Sequence, residues 1–194
     1  MEHLTLESPL GPLTVSAEGD AIVGLAIGIR HADSESTPLL GRAKTQLDEY
    51  FLGTRTTFDL PLHLSGTAFQ EAIWTALQTV PYGRTLSYQV LGEKAGRGTA
   101  PRAVGGAVGR NPIPILVPCH RILASTGRIT GYSGGEGIPT KEKLLALEGI
   151  SYRRSPDRFG PRGGSLGQIH ILPLHPMPPA LPQSPARHRC RQDA

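Results

Sequence analysis

Apolar and polar residues alternate from Leu4 to Ile27 in three short runs, "LTLE", "LTVSA" and "AIVGLAI", separated by the turn-forming stretches "SPLGP" and "EGD". Period-two patterning broken by Gly, Pro and Asp predicts strands joined as a hairpin or meander. The period then lengthens. In "TPLLGRAKTQLDEYFLG" the apolar positions Leu40, Ala43, Leu47 and Tyr50 recur at helical spacing, with Thr37 as cap, Pro38 in the first helical position and Gly53 as the stop. One amphipathic helix is predicted there. "TTFDLPLHL" reads as a further extended segment, and the chain changes character near Ser65.

Thr67 followed by Gln70 forms a capping box ahead of Phe69, Ile73, Trp74 and Leu77, which repeat at helical spacing until Pro81. A second helix is predicted from roughly Ser87 to Ala95 and closed by Gly96. After a short glycine turn, Thr99 is the predicted cap of a third, running to about Arg110. Two helices joined by a tight glycine turn are the pattern of a helix-turn-helix, although many helix pairs share it. The third helix, "APRAVGGAVG", carries three glycines that each cost it about 1 kcal/mol relative to Ala. Val104, Ala107 and Val108 fall on one face, and Arg102, Gly105, Gly106 and Gly109 on the other. A helix with side chains is about 10–12 Å across, whereas an unwidened minor groove is about 6 Å wide. A bare glycine face therefore suits either close approach to DNA or tight packing against another helix.

Length and charge sharpen this picture. The chain has 194 residues, enough for one ordinary domain or two small ones. Residues 1–80 carry 4 basic and 10 acidic side chains, residues 81–150 carry 9 and 4, and residues 151–194 carry 7 and 2. A basic middle beside an acidic first half fits polyanion binding, and equally an ordinary charged surface. The start lacks the basic-then-apolar pattern of a secretory signal, and no run approaches the length of a membrane span. A cytoplasmic protein is expected. Cys119 and Cys190 are the only cysteines, so no disulfide framework or CxxC metal site is expected. Residues 151–194 are proline-rich and basic without helical period, which predicts a disordered tail.

"PILVPCHRILAS" sets Cys119 between a proline and a His-Arg pair. A thiol becomes nucleophilic as its thiolate. Pro118 ends what reads as an extended "IPILV" run, so Cys119 is expected to open a short helix whose N–H groups favour an anion. His120 is the adjacent candidate base. Successive helical residues diverge by about 100°, so the proton is expected to travel through a water. The bland alternative is a small buried hydrophobe. In "TKEKLLALEG", Glu148 lies four residues after Leu144 and ends a helix where negative charge is disfavoured. Its spacing alone favours a solvated glutamate over a partner of His120.

Together, "PYGRTLSYQVL", "APRAVGGAVGRNPIPILVPCHR" and "GYSGG" resemble the O6-alkylguanine-DNA alkyltransferase family, over a stretch from "SPLGPLTV" to "LLALEG". The resemblance implies a ribonuclease-H-like α/β domain over 1–64 and a mostly α, winged-helix-like DNA-binding and alkyl-acceptor domain over 65–150. It implies Cys119 as the alkyl acceptor, with His120 and Glu148 completing a Cys-water-His-Glu relay. Tyr88 is implied to contact and rotate the nucleotide, and Arg102 to fill the vacated stack. Thr99, Ala103, Gly106 and Arg110 are the other implied DNA contacts. Asn111 would brace the helix-turn-helix against the active site. Tyr132 and Ser133 would line the base pocket, Ser133 offering its N–H to O6, while the carbonyls of Cys119 and Ile122 would accept from the guanine amine. The implied partner is double-stranded DNA containing O6-alkylguanine, with O4-alkylthymine a candidate second substrate, and the implied protein is a monomer without cofactor, metal or membrane. Two rivals are a lesion-binding relative that flips guanine without transfer, and a cysteine hydrolase that turns over an acyl substrate.

Overall fold

The computed structural model describes residues 1–32 and 37–154, all of which fall within one packed unit. β1 (Glu2–Leu6), β2 (Leu13–Glu18) and β3 (Ala21–Ile27) form an antiparallel sheet in the order β1-β2-β3. The meander expected from the alternation is therefore present. Leu13, Val15 and Ala17 of β2 are fully buried on one face, and Thr14 on the other face is buried as well, its hydroxyl donating to the Ile29 carbonyl. α1 (Pro38–Phe51) lays Leu40, Ala43, Leu47 and Tyr50 into that core, with the Thr37 hydroxyl accepting from Leu40 N–H.

The extended segment expected in "TTFDLPLHL" pairs through one bridge, Leu62 beside Ile22. Pro61 has no N–H to give a ladder, so the segment contributes the Pro61 carbonyl to Ile22 N–H and His63 N–H to the Ile22 carbonyl, and then leaves.

α2 (Ala68–Gln78) starts with both bonds of the Thr67/Gln70 capping box. α3 (Tyr88–Lys94) and α4 (Pro101–Gly109) form the helix-turn-helix, with Gly96 and Gly98 in the left-handed region that the tight turn requires. Trp74 Nε1–H donates to the Ala107 carbonyl at 2.9 Å and ties α4 to α2. Thr99 does not cap α4. The residue before a proline is excluded from helical geometry, so Pro101 at the first helical position makes Ala100 the cap, without a side-chain bond.

The two-residue strands β4 (Leu86–Ser87) and β5 (Ile122–Leu123) pair in parallel. Tyr88 follows the first directly. A 3-10 turn, Cys119–Arg121, precedes the second. Tyr88 and Cys119 both line one cavity. α5 (Ile138–Leu147) closes the fold. Residues 151–154 still belong to it, contrary to the tail boundary at 151: Arg153 bridges Arg128, and Arg154 pairs with Glu142 at 3.0 Å. The rest of the tail, with Cys190, lies outside the described residues. Among the described residues no helix is long and apolar enough to cross a membrane.

Candidate active site

"IPILV" is not extended. Residues 111–117 form a tight turn in which Ile115 has φ of 75°, a costly conformation for a β-branched residue. Three bonds hold it: Val117 N–H to the Ile113 carbonyl at 2.9 Å, Asn111 Nδ2 to the Val117 carbonyl at 2.7 Å, and Ile113 N–H to Asn111 Oδ1 at 3.0 Å. Asn111 so links the end of α4 to the residues that lead into Cys119. From the sheet side, Leu25 N–H donates to the Pro112 carbonyl.

Cys119 is buried and free. It borders a cavity of about 420 Å³ that Tyr88, Arg102, Gly105, Tyr132 and Ser133 also line. The 3-10 turn it opens has only three residues, too short to supply the helix dipole expected from the sequence. Burial dominates instead and pushes the thiol up, opposed by Asn111, the Tyr132 hydroxyl and the Lys141 ammonium. Tyr132 Oη stands 4.0 Å from Sγ. A thiol held up by burial keeps its proton at rest, so a base must take it before the sulfur can attack.

His120 is the neighbouring base. It is fully buried, and its Nε2 lies 2.7 Å from Glu148 Oε1. A carboxylate accepts only, so Nε2 carries the hydrogen and Nδ1 is left with a lone pair. Nδ1 is buried and makes no hydrogen bond within the protein. Burial lowers the imidazole below its ordinary value against the opposing pull of Glu148, which favours the neutral form.

Glu148 is not a solvated helix end. It caps α5 in the interior, where Arg121 grips it through Nε at 2.8 Å and Nη2 at 2.9 Å, Tyr50 Oη donates at 2.8 Å, and Gly83 N–H at 3.1 Å. Burial alone would raise its carboxyl, but the bonds from His120 and Arg121 outweigh that and pull it down to about 2. The helix-end penalty inferred from spacing is overridden by partners 27 to 98 residues away in sequence.

The glycine face of α4 is open. A Cβ at Gly105 would meet only the Tyr88 ring, at 3.7 Å, one at Gly106 only Arg110 Nη1, and one at Gly109 nothing. Close packing of helices uses Gly92 in α3 instead, where a Cβ would stand 2.4 Å from the Gly98 carbonyl. Arg102, Ala103, Arg110 and Thr99 are exposed around that face. Ser133 Oγ donates to the Gly109 carbonyl at 2.8 Å, and Thr130 Oγ1 to Tyr88 Oη at 3.2 Å.

Lys141, Arg121 and Tyr50 escaped the sequence reading. Lys141 is buried at the cavity wall, donates to the Ile122 carbonyl at 2.5 Å, and is lowered by burial to about 8. The Cys119 carbonyl accepts from Ile122 N–H. A signal for Lys141 existed: Lys141, Leu144, Leu145 and Glu148 are spaced i, i+3, i+4, i+7, so two charges share the apolar stripe of α5. Among the described residues no group of three or more His, Cys, Asp or Glu could hold a metal ion.

Two family models match the chain: "6-O-methylguanine DNA methyltransferase, ribonuclease-like domain" over residues 1–64, and "6-O-methylguanine DNA methyltransferase, DNA binding domain" over residues 68–150. The chain belongs to the 6-O-methylguanine DNA methyltransferase family. A constitutive methylated-DNA--protein-cysteine methyltransferase of Bacillus subtilis is 41% identical over 161 residues, 78% of this chain and 97% of that protein. The methylated-DNA--protein-cysteine methyltransferase of Mycobacterium tuberculosis is 43% identical over 154 residues, 76% of this chain and 92% of that protein. The crystal structure of Mycobacterium tuberculosis OGT in complex with DNA superposes with a TM-score of 0.68 at 44% identity, covering 76% of this chain and 92% of that one. For this methyltransferase family member, the α/β part followed by the helix-turn-helix part is the family's own order, a ribonuclease-like domain and then a DNA-binding one.

Proposed function

We propose that this chain repairs DNA by direct reversal, moving the alkyl group of O6-alkylguanine in double-stranded DNA onto Cys119, once per molecule. One observation carries the reading: a buried thiol lines the cavity under the glycine-bare face of α4, next to an imidazole whose tautomer leaves a lone pair free. His120 Nδ1 takes the thiol proton, through a water. Sγ then attacks the alkyl carbon, the S–C bond forms as the C–O6 bond breaks, and the electron pair leaves on the guanine, which takes up a proton at N1.

The alkylated oxygen faces the interior of the duplex, so the nucleotide must rotate out, at a cost of a few kcal/mol. Tyr88 and Arg102, at the rim of the cavity, suit that rotation, Tyr88 by contact with the rotated nucleotide and Arg102 by filling the gap it leaves. The open glycine face lets the backbone of α4 approach the minor groove, flanked by Thr99, Ala103 and Arg110. Tyr132, Ser133 and the carbonyl of Ile122 surround the base, and Asn111 keeps α4 in register with Cys119. The working division is 1–64 as the supporting half and 65–150 as the DNA-binding and acceptor half, acting as a monomer in the cytoplasm.

Incubation with duplex DNA containing O6-methylguanine, followed by peptide mass spectrometry, tests this. One added methyl on Cys119 per molecule, abolished in Cys119→Ser, is expected. Unmodified protein that still binds the lesion would indicate a sensor without transfer, and many turnovers per molecule would exclude a thioether product.

A further inference from the structure

Tyr50 belongs to α1, in the part of the chain matched by the ribonuclease-like family model, and the chemistry above does not use it. Its ring is fully buried, set edge-on to Phe51 and Tyr82 and tilted against Phe58. Its hydroxyl donates to Glu148 Oε1, the same oxygen that accepts from His120 Nε2 and Arg121 Nη2, while Oε2 takes Arg121 Nε and Gly83 N–H. Five donors thus converge on a carboxylate that offers about four lone-pair positions. Three of them share Oε1, and each weakens the hold of that oxygen on the others.

We propose that Tyr50 is a positioning residue of the proton relay, supplied by the N-terminal half: by sharing Glu148 Oε1 with His120 Nε2, its hydroxyl limits how tightly the carboxylate holds the imidazole. The inference rests on the reading of His120 as the base. Tyr50 gives up no proton, because burial and the Glu148 charge push its own ionisation far upward. It acts by hydrogen bonding alone. The other charged or titratable groups in the setting are Arg121 and Lys141, which bear on His120, and Arg121 and Tyr82, which bear on Tyr50.

The direction of the effect follows. Burial raises Cys119 and lowers His120, so the first proton lost by the doubly protonated pair is that of the imidazole, and the single-turnover rate rises with pH as it leaves. Tyr50→Phe keeps the ring and removes the donor, which frees Oε1 to grip His120 and favours the imidazolium. The acid limb of the rate profile is expected to move up by about half a pH unit to one unit, the scale of one hydrogen bond. Below the limb the variant should be about three- to tenfold slower than the parent.

The test combines two measurements on Tyr50→Phe and the parent protein. The first is the pH profile of methyl transfer from O6-methylguanine duplex. The second is the titration of the His120 ring by NMR without DNA. An upward shift in both supports the inference. A limb and ring titration that stay in place, or a slowing uniform across pH, would mean that the hydroxyl is only a satisfied core group and would overturn it. A parent protein that transfers no methyl defeats the proposed function instead, and the ring titration then still decides the role of Tyr50.

Discussion

Cys119 is pulled in two directions, by burial against its anion and by Asn111, Tyr132 and Lys141 in favour of it. Lys141 is the only one of these that carries a charge, and a nearby cation lowers a thiol in a weakly screened interior. Lys141→Met is therefore expected to slow carboxamidomethylation of Cys119 by iodoacetamide at pH 7 at least about threefold, with Lys141→Arg retaining most of the rate. Peptide mass spectrometry resolves Cys119 from Cys190. Arg102 is exposed at the cavity that Cys119 also lines. Arg102→Ala should depress repair of duplex DNA much more than reaction with free O6-methylguanine base, and equal losses on both would remove its assignment to the vacated stack. At this scale Cys119 and His120 were legible because they are adjacent in a distinctive string. Glu148 was legible only through the family resemblance and not from its own spacing, since its partners Tyr50, Gly83 and Arg121 come from elsewhere in the chain.

Glycines in α3 and α4 look alike in the sequence and serve opposite ends. Gly106 has open space where a side chain would stand, apart from the Arg110 guanidinium, whereas Gly92 sits against the Gly98 carbonyl. Gly106→Leu is expected to raise stability by roughly 0.5–1 kcal/mol through helix propensity, while weakening binding to undamaged duplex at least about tenfold by filling the face proposed to meet it. Gly92→Ala should destabilise by roughly 1–3 kcal/mol, because the added methyl forces backbone apart. Urea unfolding and fluorescence anisotropy read the two effects separately. A helix and its caps are mostly local, which is why α1 and α2 match their expected starts at Thr37 and Thr67. α4 departs from its expected cap because Pro101 excludes its predecessor from the helix.

The main hydrophobic cluster runs from Leu6 in the sheet through Trp74 and Val104 to Leu144 in α5, so both halves of the molecule share one interior. The buried cluster of Glu148, Arg121 and His120 lies within that interior and ties stability to pH. Both titrating members are depressed in the fold, His120 from 6.5 and Glu148 from 4.5 to about 2. A depressed group binds its proton more readily in the unfolded chain, so the stability it confers is complete above its ordinary value and is lost as pH falls through its folded one. Stability should therefore begin to fall below about pH 6.5 and fall further from about pH 4.5 towards 2. Glu148→Gln should flatten the lower part of that profile. At pH 7 the same variant is expected to lose about 3–5 kcal/mol, because it leaves the Arg121 guanidinium buried without its counter-charge. Thermal melts across pH 2.5–7.5, on parent and variant, measure both.

Local pattern alone determined the meander, the two capped helices, the helix-turn-helix with its bare glycine face, and the one cysteine set beside a base. These depend on residues within a turn or two of each other, where propensity, capping and periodicity act. Tertiary structure decided the rest. Whether Cys119 is exposed or sunk in a cavity, whether Glu148 faces water or five donors, and whether Lys141 lies on the surface or at the cavity wall are set by what is folded against them. Burial and charge are properties of the assembled interior, in which α1 brings Tyr50, the 3-10 turn both His120 and Arg121, and the C-terminal cap of α5 Glu148 to a single hydrogen-bonded cluster.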